Sequence, residues 1–409
     1  MERIYERCCG IDVHKKMIVA CFRDGRKQEV REYGTTTHEL KGLTAWLIEQ
    51  GCEQVAMEST SSYWKPLYNI FEISGLPAMV VNARDIKTVP GRKTDVNDAQ
   101  WIADLLQHGL LRGSYIPDRD QRELREASRY RKSLVEERAR ELNRLQKMLE
   151  GANVKLASFA SDVNGKSSRR VIDALVAGQA LDEEHLKELL HGSMHKKIPD
   201  IMPAVEGIMT PIQKRLLACV IDHIDDMTKR IGDIDRLMED YLSEYEEAIV
   251  KLDAMPGTGR QSAETILAEI GLDMSRFPSG GHLSRWAGIA PGNNESAGKR
   301  KSGKTTKGNK TLKTTLIQCA GSASKMNGTF FSAQYQRLVV RRGKNRAKTA
   351  VAHSMLIAIY HMLKDGEPFR DLGADYYNLF NREKKANGYF KKLNELGYNV
   401  ILQEQAATA

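Results

Sequence analysis

A chain of 409 residues with 41% hydrophobic content holds enough apolar material for two or three packed domains of roughly 100–200 residues each. No apolar run approaches the ~18 residues of a membrane-spanning helix, and no signal peptide precedes the first strand pattern, so a soluble cytoplasmic protein with no membrane partner is expected. The six cysteines (Cys8, Cys9, Cys21, Cys52, Cys219 and Cys319) form no C-x-x-C pair, which argues against a zinc or disulfide framework.

Residues 1–118 alternate strand and helix patterns. CCGIDVH and MIVACF are short apolar runs joined by His14, Lys15 and Lys16, which predicts a hairpin. A third strand is predicted near Lys27–Tyr33. A helix at HELKGLTAWLIEQ follows, then a strand at EQVAMES, a helix at WKPLYNIFEISG ending at Gly75, and a strand at PAMVVNA. A last helix begins in TDVNDAQWIADLL. Three strands followed by helix–strand–helix–strand–helix is the element order of an α/β, ribonuclease-H-like (RuvC-like) fold.

That order distributes four carboxylates. Asp12 sits on the first strand and Glu58 closes the fourth, while Asp95 and Asp98 share a helix face three residues apart. Sites in α/β sheets gather beyond strand ends. Carboxylates converging from separate elements suit a hard divalent cation such as Mg²⁺. Two such ions, ~3.5–4 Å apart, stabilise the attacking and leaving oxygens of a phosphoryl transfer. Taken singly, Asp95 or Asp98 can complement a helix N-terminus and Glu58 can be a surface charge at a strand end. Asp12 is harder to explain that way, because an acid inside a buried strand is costly without a partner or a metal.

Residues 119–150 read as one long charged helix with a partial leucine stripe. Residues 214–250 form a cleaner seam, with Leu217, Ile221, Ile224, Ile231, Met238, Leu242, Tyr245 and Ile249 at three- and four-residue steps. The two patterns predict a helical linker holding a coiled coil, whose partner helix lies in the same chain or in another copy. Charge is uneven along the chain. The net charge is +9, yet Asp222–Glu247 holds ten acids, whereas Ser296–Lys364 holds fifteen Lys and Arg and no acid. A long acid-free basic stretch points to a polyanion partner.

At Leu252 the pattern changes. MPGTGRQSAETILAEIG combines a tight glycine turn with an apolar helix, which serves either phosphate binding at a helix N-terminus or a plain turn before a core helix. The segment LSRWAGIAPGNNESAGKRKSGKTTKGNKTLK has the Gly, Asn, Ser and Lys content of a flexible phosphate-handling loop. Ser296 and Ser302 lie there among Lys299, Arg300, Lys301, Lys304, Lys307 and Lys310. A serine in such a field can attack a phosphodiester, and composition alone favours neither. Arg341 and Arg342 extend the basic surface.

GIDVHK, AMEST with the following Tyr63 and Trp64, and GRKTDVNDAQWIADLL resemble the N-terminal domain of the insertion sequence 110 family, the DEDD transposases that act as bridge-RNA-guided recombinases. PGTGRQSAETILAEIG and WAGIAPGNNESAGKRKSGKTTKGNKTLK resemble that family's C-terminal transposase domain. The resemblance implies a metal domain over 1–118, a helical coiled-coil linker over 119–250, a mainly α transposase domain over 251–375 and a basic tail over 376–409. It places the family's metal-binding acids on Asp12, Glu58, Asp95 and Asp98, with Mg²⁺ as cofactor. It places the nucleophilic serine on Ser296, where this chain reads Ser-Ala-Gly and many relatives read Ser-Gly-Gly. It implies double-stranded donor and target DNA, a structured noncoding guide RNA, and a homo-oligomer between dimer and tetramer. Two rivals follow from the residues alone. A junction-resolving nuclease would use water as nucleophile, and a noncatalytic nucleic-acid scaffold would need only the basic stretch and the coiled coil.

Overall fold

The computed structural model describes residues 3–59, 61–82, 86, 98–292, 294–296, 299–377 and 382–398, with backbone alone for 294–296, 299–302 and 382–385. The chain divides into two compact units, 1–117 and 118–409.

The first unit is a five-stranded mixed sheet in the order β3-β2-β1-β4-β5. Its strands are β1 (Arg7–Val13), β2 (Met17–Asp24), β3 (Lys27–Gly34), β4 (Gln54–Glu58) and β5 (Ala78–Val81). The first three form an antiparallel meander, while β4 and β5 add in parallel beside β1. Helices α1 (Thr37–Glu49) and α2 (Trp64–Ile73) cover one face, where Cys9, Ile11 and Val13 pack with Leu43, Leu47, Leu67 and Phe71. Helix α3 (Asp98–Gln107) covers the other. On that side Cys8 and Ala56 cluster with Ile102 and Leu106, and Val19 and Cys21 cluster with Ala99 and Ala103. Because both faces of β1 are covered, its sequence is a nearly continuous apolar run and does not alternate. The arrangement is consistent with a ribonuclease-H-like domain.

Gly10 is the point of closest approach between sheet and helix. A Cβ there would stand 2.2 Å from the Ala103 amide nitrogen and 2.4 Å from the Ala99 carbonyl oxygen. Both are main-chain atoms of α3 and cannot swing aside. Gly10→Ala is therefore expected to destabilise the first unit by about 1–3 kcal/mol, the usual cost of overpacking. Urea unfolding checks this, and a midpoint equal to wild type would refute the contact.

The second unit is helical. Helix α4 (Arg119–Gly151) is followed by α5 (Lys166–Ala177), α6 (Glu183–Leu189), α7 (Ile198–Ala204) and the long α8 (Pro211–Ser243). Thr210 starts α8 with a reciprocal capping box to Gln213, which satisfies two of the orphan amides at the helix start. Helices α4 and α8 pair antiparallel within the chain. Tyr241 donates to Glu123 at 2.8 Å, Arg131 pairs with Asp235, and Arg138 donates to Thr228 at 3.2 Å. At the far end, Leu145 and Leu149 join Leu217, Ile221 and Ile224 in a core closed by Val171, Leu186 and Ile198 from the three short helices. The seam does not run to 250 as one helix. It stops at Ser243 and resumes as α9 (Glu246–Asp253), with the Tyr245 amide bonding back to Leu242 at 2.9 Å.

The remaining helices are α10 (Arg260–Ile270), α11 (Gly280–Trp286), α12 (Lys310–Ala323), α13 (Phe330–Arg342), α14 (Lys344–Asp365) and, in the basic tail, α15 (Arg382–Glu395). Between α11 and α12 lies a two-stranded ribbon, β6 (Asn294–Ser296) with β7 (Lys299–Ser302). In the PGTG turn, a Cβ on Gly257 would lie 2.5 Å from the Ala323 amide nitrogen, so the turn is built to press against α12.

Candidate active site

The sheet brings two of the acids level. Strands β1 and β4 pair in parallel with a constant offset, Cys8 to Gln54 through Ile11 to Met57. One step further along the same offset, Asp12 stands beside Glu58. Asp12 shares a strand face with Gly10, which faces α3. Helix α3 runs antiparallel to β1, since Cys8 bonds the Ala103 carbonyl at 3.8 Å while Gly10 already meets Ala99. The first turn of α3, carrying Asp98, therefore lies toward the C-terminal ends of β1 and β4. Asp12, Glu58 and Asp98 thus lie toward the same end of this unit. Asp95 lies outside the described residues. Among the described residues no three His, Cys, Asp or Glu side chains stand close enough to hold an ion together.

Asp12 is 7% exposed, Glu58 is half-buried and Asp98 is exposed. A buried carboxylate needs a partner. For Asp12 that partner is His14, whose Nε2 lies 2.9 Å from Oδ2. Sequence reading assigned His14 only to the hairpin connection. The signal that marks it is its spacing: two residues past Asp12 and one past the end of β1, just where the chain turns and His14 N bonds Met17 O at 2.9 Å.

The donor chemistry suits a hard cation. Asp12, Glu58 and Asp98 offer carboxylate oxygens, and the buried thiols of the same sheet are not competitors. Burial pushes Cys8 up to about 12 and raises Cys9 and Cys21 as well, so these sulfurs stay protonated and are poor ligands. Carboxylate oxygens suit a hard divalent cation better than a thiophilic metal.

In the second unit the basic segment is not a loose loop but the β6–β7 ribbon. Ser296 pairs with Lys299 at the end next to the two-residue connection, and Asn294 pairs with Ser302 at the opposite end. Its base is a close crossing of glycine backbone. Gly288 has φ +73°, and a Cβ there would stand 2.8 Å from the Gly308 nitrogen. One on Gly308 would stand 2.3 Å from the Gly288 nitrogen. Pro291 bridges Thr305, and Gly292 N donates to Lys304 O at 3.1 Å. The ribbon therefore rises from a main-chain clasp that no larger residue would permit. Composition alone suggested flexibility because this clasp is tertiary.

The basic candidates occupy three places. Lys299, Arg300 and Lys301 lie along β7. Lys304, Lys307 and Lys310 are exposed on the segment leading into α12, and Arg341 and Arg342 are exposed in the last turn of α13. Cations at a helix C-terminus are favoured by the helix dipole and remain available to phosphate.

Two family models match the chain. Residues 9–154 match the DEDD transposase family model of the IS110 group, and residues 250–336 match the model described as Transposase IS116/IS110/IS902 family. The transposase for insertion sequence element IS1111A of Coxiella burnetii is 24% identical over 367 residues, covering 88% of this chain and 87% of that protein. The insertion element IS116 44.8 kDa protein of Streptomyces clavuligerus is 27% identical over 245 residues, covering 53% of this chain and 60% of that protein. Two models of one family match in chain order and together span more than half the sequence, one over the carboxylates and the other over Ser296. The chain is a DNA transposase and belongs to the IS110 family.

Proposed function

We propose that this transposase cuts and rejoins DNA through a phosphoserine link at Ser296. The supporting observation is the ribbon. It carries Ser296 at its connecting end opposite Lys299, on a base held by glycine contacts, while Ser302 lies at the other end. A serine presented in this way can enter a groove, where the neighbouring Lys and Arg bind the flanking phosphates.

In this reading the Ser296 hydroxyl attacks phosphorus. The Oγ–P bond forms, one P–O ester bond breaks, the serine proton is lost and the freed strand end takes one up. The link conserves a phosphodiester, so rejoining needs no nucleotide. Asp12, Glu58, Asp95 and Asp98 would hold Mg²⁺, which when bound supplies positive charge to the phosphate oxygens. His14 orients Asp12, and the exposed Asp98 leaves the site open to solvent and substrate. The proposed division of labour is acids in 1–118, a coiled-coil linker in 119–250, the serine in 251–375 and a basic tail in 376–409. An assembly of two to four copies supplies acids and serines to both DNA strands.

A structured noncoding RNA is proposed as the guide that chooses target and donor DNA. The acid-free stretch 296–364 supports a polyanion partner, as do the exposed Arg341 and Arg342. A denaturing gel with labelled element-end DNA tests the main reading, with RNase and EDTA arms beside it. A protein–DNA band that survives denaturation supports the serine link. Cleavage without that band would establish water as the nucleophile. Full activity after RNase treatment would remove the guide.

A further inference from the structure

The foot of the Ser296 ribbon is gripped by one buried carboxylate that sequence patterning did not single out. Glu269 is the penultimate residue of α10 and is 1% exposed. Arg129 donates to it as a fork, Nε to Oε1 at 2.7 Å and Nη2 to Oε2 at 2.9 Å. Asn309 Nδ2 donates to the same Oε2 at 2.6 Å. Arg125 Nε stands 3.3 Å from Oε2, and its Nη2 donates to the Glu269 main-chain carbonyl at 2.6 Å.

These partners are the legs of the ribbon and the helix beside it. Asn309 ends the returning leg, and its own side chain caps α12 by accepting from the Leu312 amide at 3.1 Å. Its amide donates to the Trp286 carbonyl at 3.1 Å, where the outgoing leg departs. The Arg125 guanidinium lies over the Trp286 ring, 5.9 Å from its centroid. Glu269 thus holds the returning leg directly and the outgoing leg through Arg125 and Trp286. Gln121, Arg125 and Arg129 are spaced four apart on α4, and Gln121 also bonds the Ala268 carbonyl at 3.4 Å. One face of α4 is therefore strapped to the C-terminal end of α10, where cations are favoured by the helix dipole.

Buried ion networks contribute little net stability compared with apolar packing, because desolvation offsets the attraction. What a forked Arg–carboxylate pair supplies is direction. We propose that Glu269 is a positioning residue: it fixes both feet of the ribbon against α4 and so sets where Ser296 is presented. The proposal rests on the phosphoserine reading for its catalytic meaning and on the contacts above for its mechanical meaning.

Two variants test it. Glu269→Gln keeps the shape and removes the charge between two arginines. Asn309→Ser keeps an N-cap oxygen for α12 and removes the amide donor to Glu269. Hydrogen exchange is followed over 286–309, with α14 as internal reference. Single-turnover adduct formation is followed on a plasmid carrying the element's own ends, as a function of DNA concentration. Both variants are expected to speed exchange of the ribbon segment about tenfold while leaving α14 unchanged. The limiting adduct rate is expected to fall roughly tenfold or more at saturating DNA, with half-saturation shifted by less than about twofold, because displacing a reacting group by an ångström suffices for such losses. A merely structural role would lower the melting temperature and leave the rate per folded molecule at the wild-type value, which would overturn the proposal. Unchanged ribbon exchange in Asn309→Ser would overturn it as well, even if Glu269→Gln does not fold. The exchange arm reads anchoring whichever residue forms the adduct. Peptide mapping of the wild-type adduct reads the serine assignment separately.

Discussion

Ser296→Ala is expected to abolish the covalent protein–DNA adduct and to lower transposition to background, a loss of at least about 10³-fold, while fold and oligomeric state persist. Removing a nucleophile eliminates the chemical step and leaves binding in place. The substitution deletes one oxygen at the connecting end of β6, and the glycine clasp beneath it involves Gly288, Gly292 and Gly308, none of which changes. Ser302→Ala is the internal control. Ser302 pairs with Asn294 at the other end of the ribbon and is expected to retain a substantial part of the activity. Mapping the adduct peptide by mass spectrometry decides the matter. An adduct at Ser302, or one that survives Ser296→Ala, would refute the assignment.

Asp12→Asn is the second large effect. The change keeps the side chain's volume and its contact with His14, and it removes one negative charge from the end of the unit that also carries Glu58 and Asp98. Cleavage is expected to fall by about 10²–10³-fold or more, the scale associated with losing electrostatic stabilisation of a phosphoryl-transfer transition state. Folding is expected to be unimpaired or slightly strengthened, because a neutral amide is cheaper to bury than a carboxylate that is 7% exposed. The paired measurement is a melting curve in EDTA beside the cleavage assay. A variant that cleaves at the wild-type rate would remove Asp12 from the site. One that fails to fold would make its role structural.

The first unit was largely legible in the sequence because its signals are local. The apolar runs of β1 and β2, the turn residues His14–Lys16 and the glycine after α2 each declare themselves within a few residues. Element order put Asp12 and Glu58 on neighbouring strands, and the parallel register of β1 with β4 is what the structure adds. What escaped was non-local. The seam on α8 reads correctly as apolar, yet its spacing cannot reveal that the partner is α4 of the same chain, running the other way. The halt at Ser243 carries no proline or glycine to announce it. The ribbon read as a loop because its order comes from backbone crossings between residues 286–292 and 304–309, while its side chains are those of a loop. Glu269 was invisible for the same reason. Its partners stand 140 residues upstream and 40 downstream, so no window of sequence contains the network.

The antiparallel pairing of α4 and α8 has a metric consequence. Each of these helices is 33 residues long. At 1.5 Å per residue that is a rod of roughly 50 Å, which matches about fifteen base-pair steps of 3.4 Å. The serine arm is strapped near one end of this rod, and the three short helices close the other. The distance between them is set by counting residues in a stiff paired helix, so the second unit carries its own ruler on the scale of a nucleic-acid duplex.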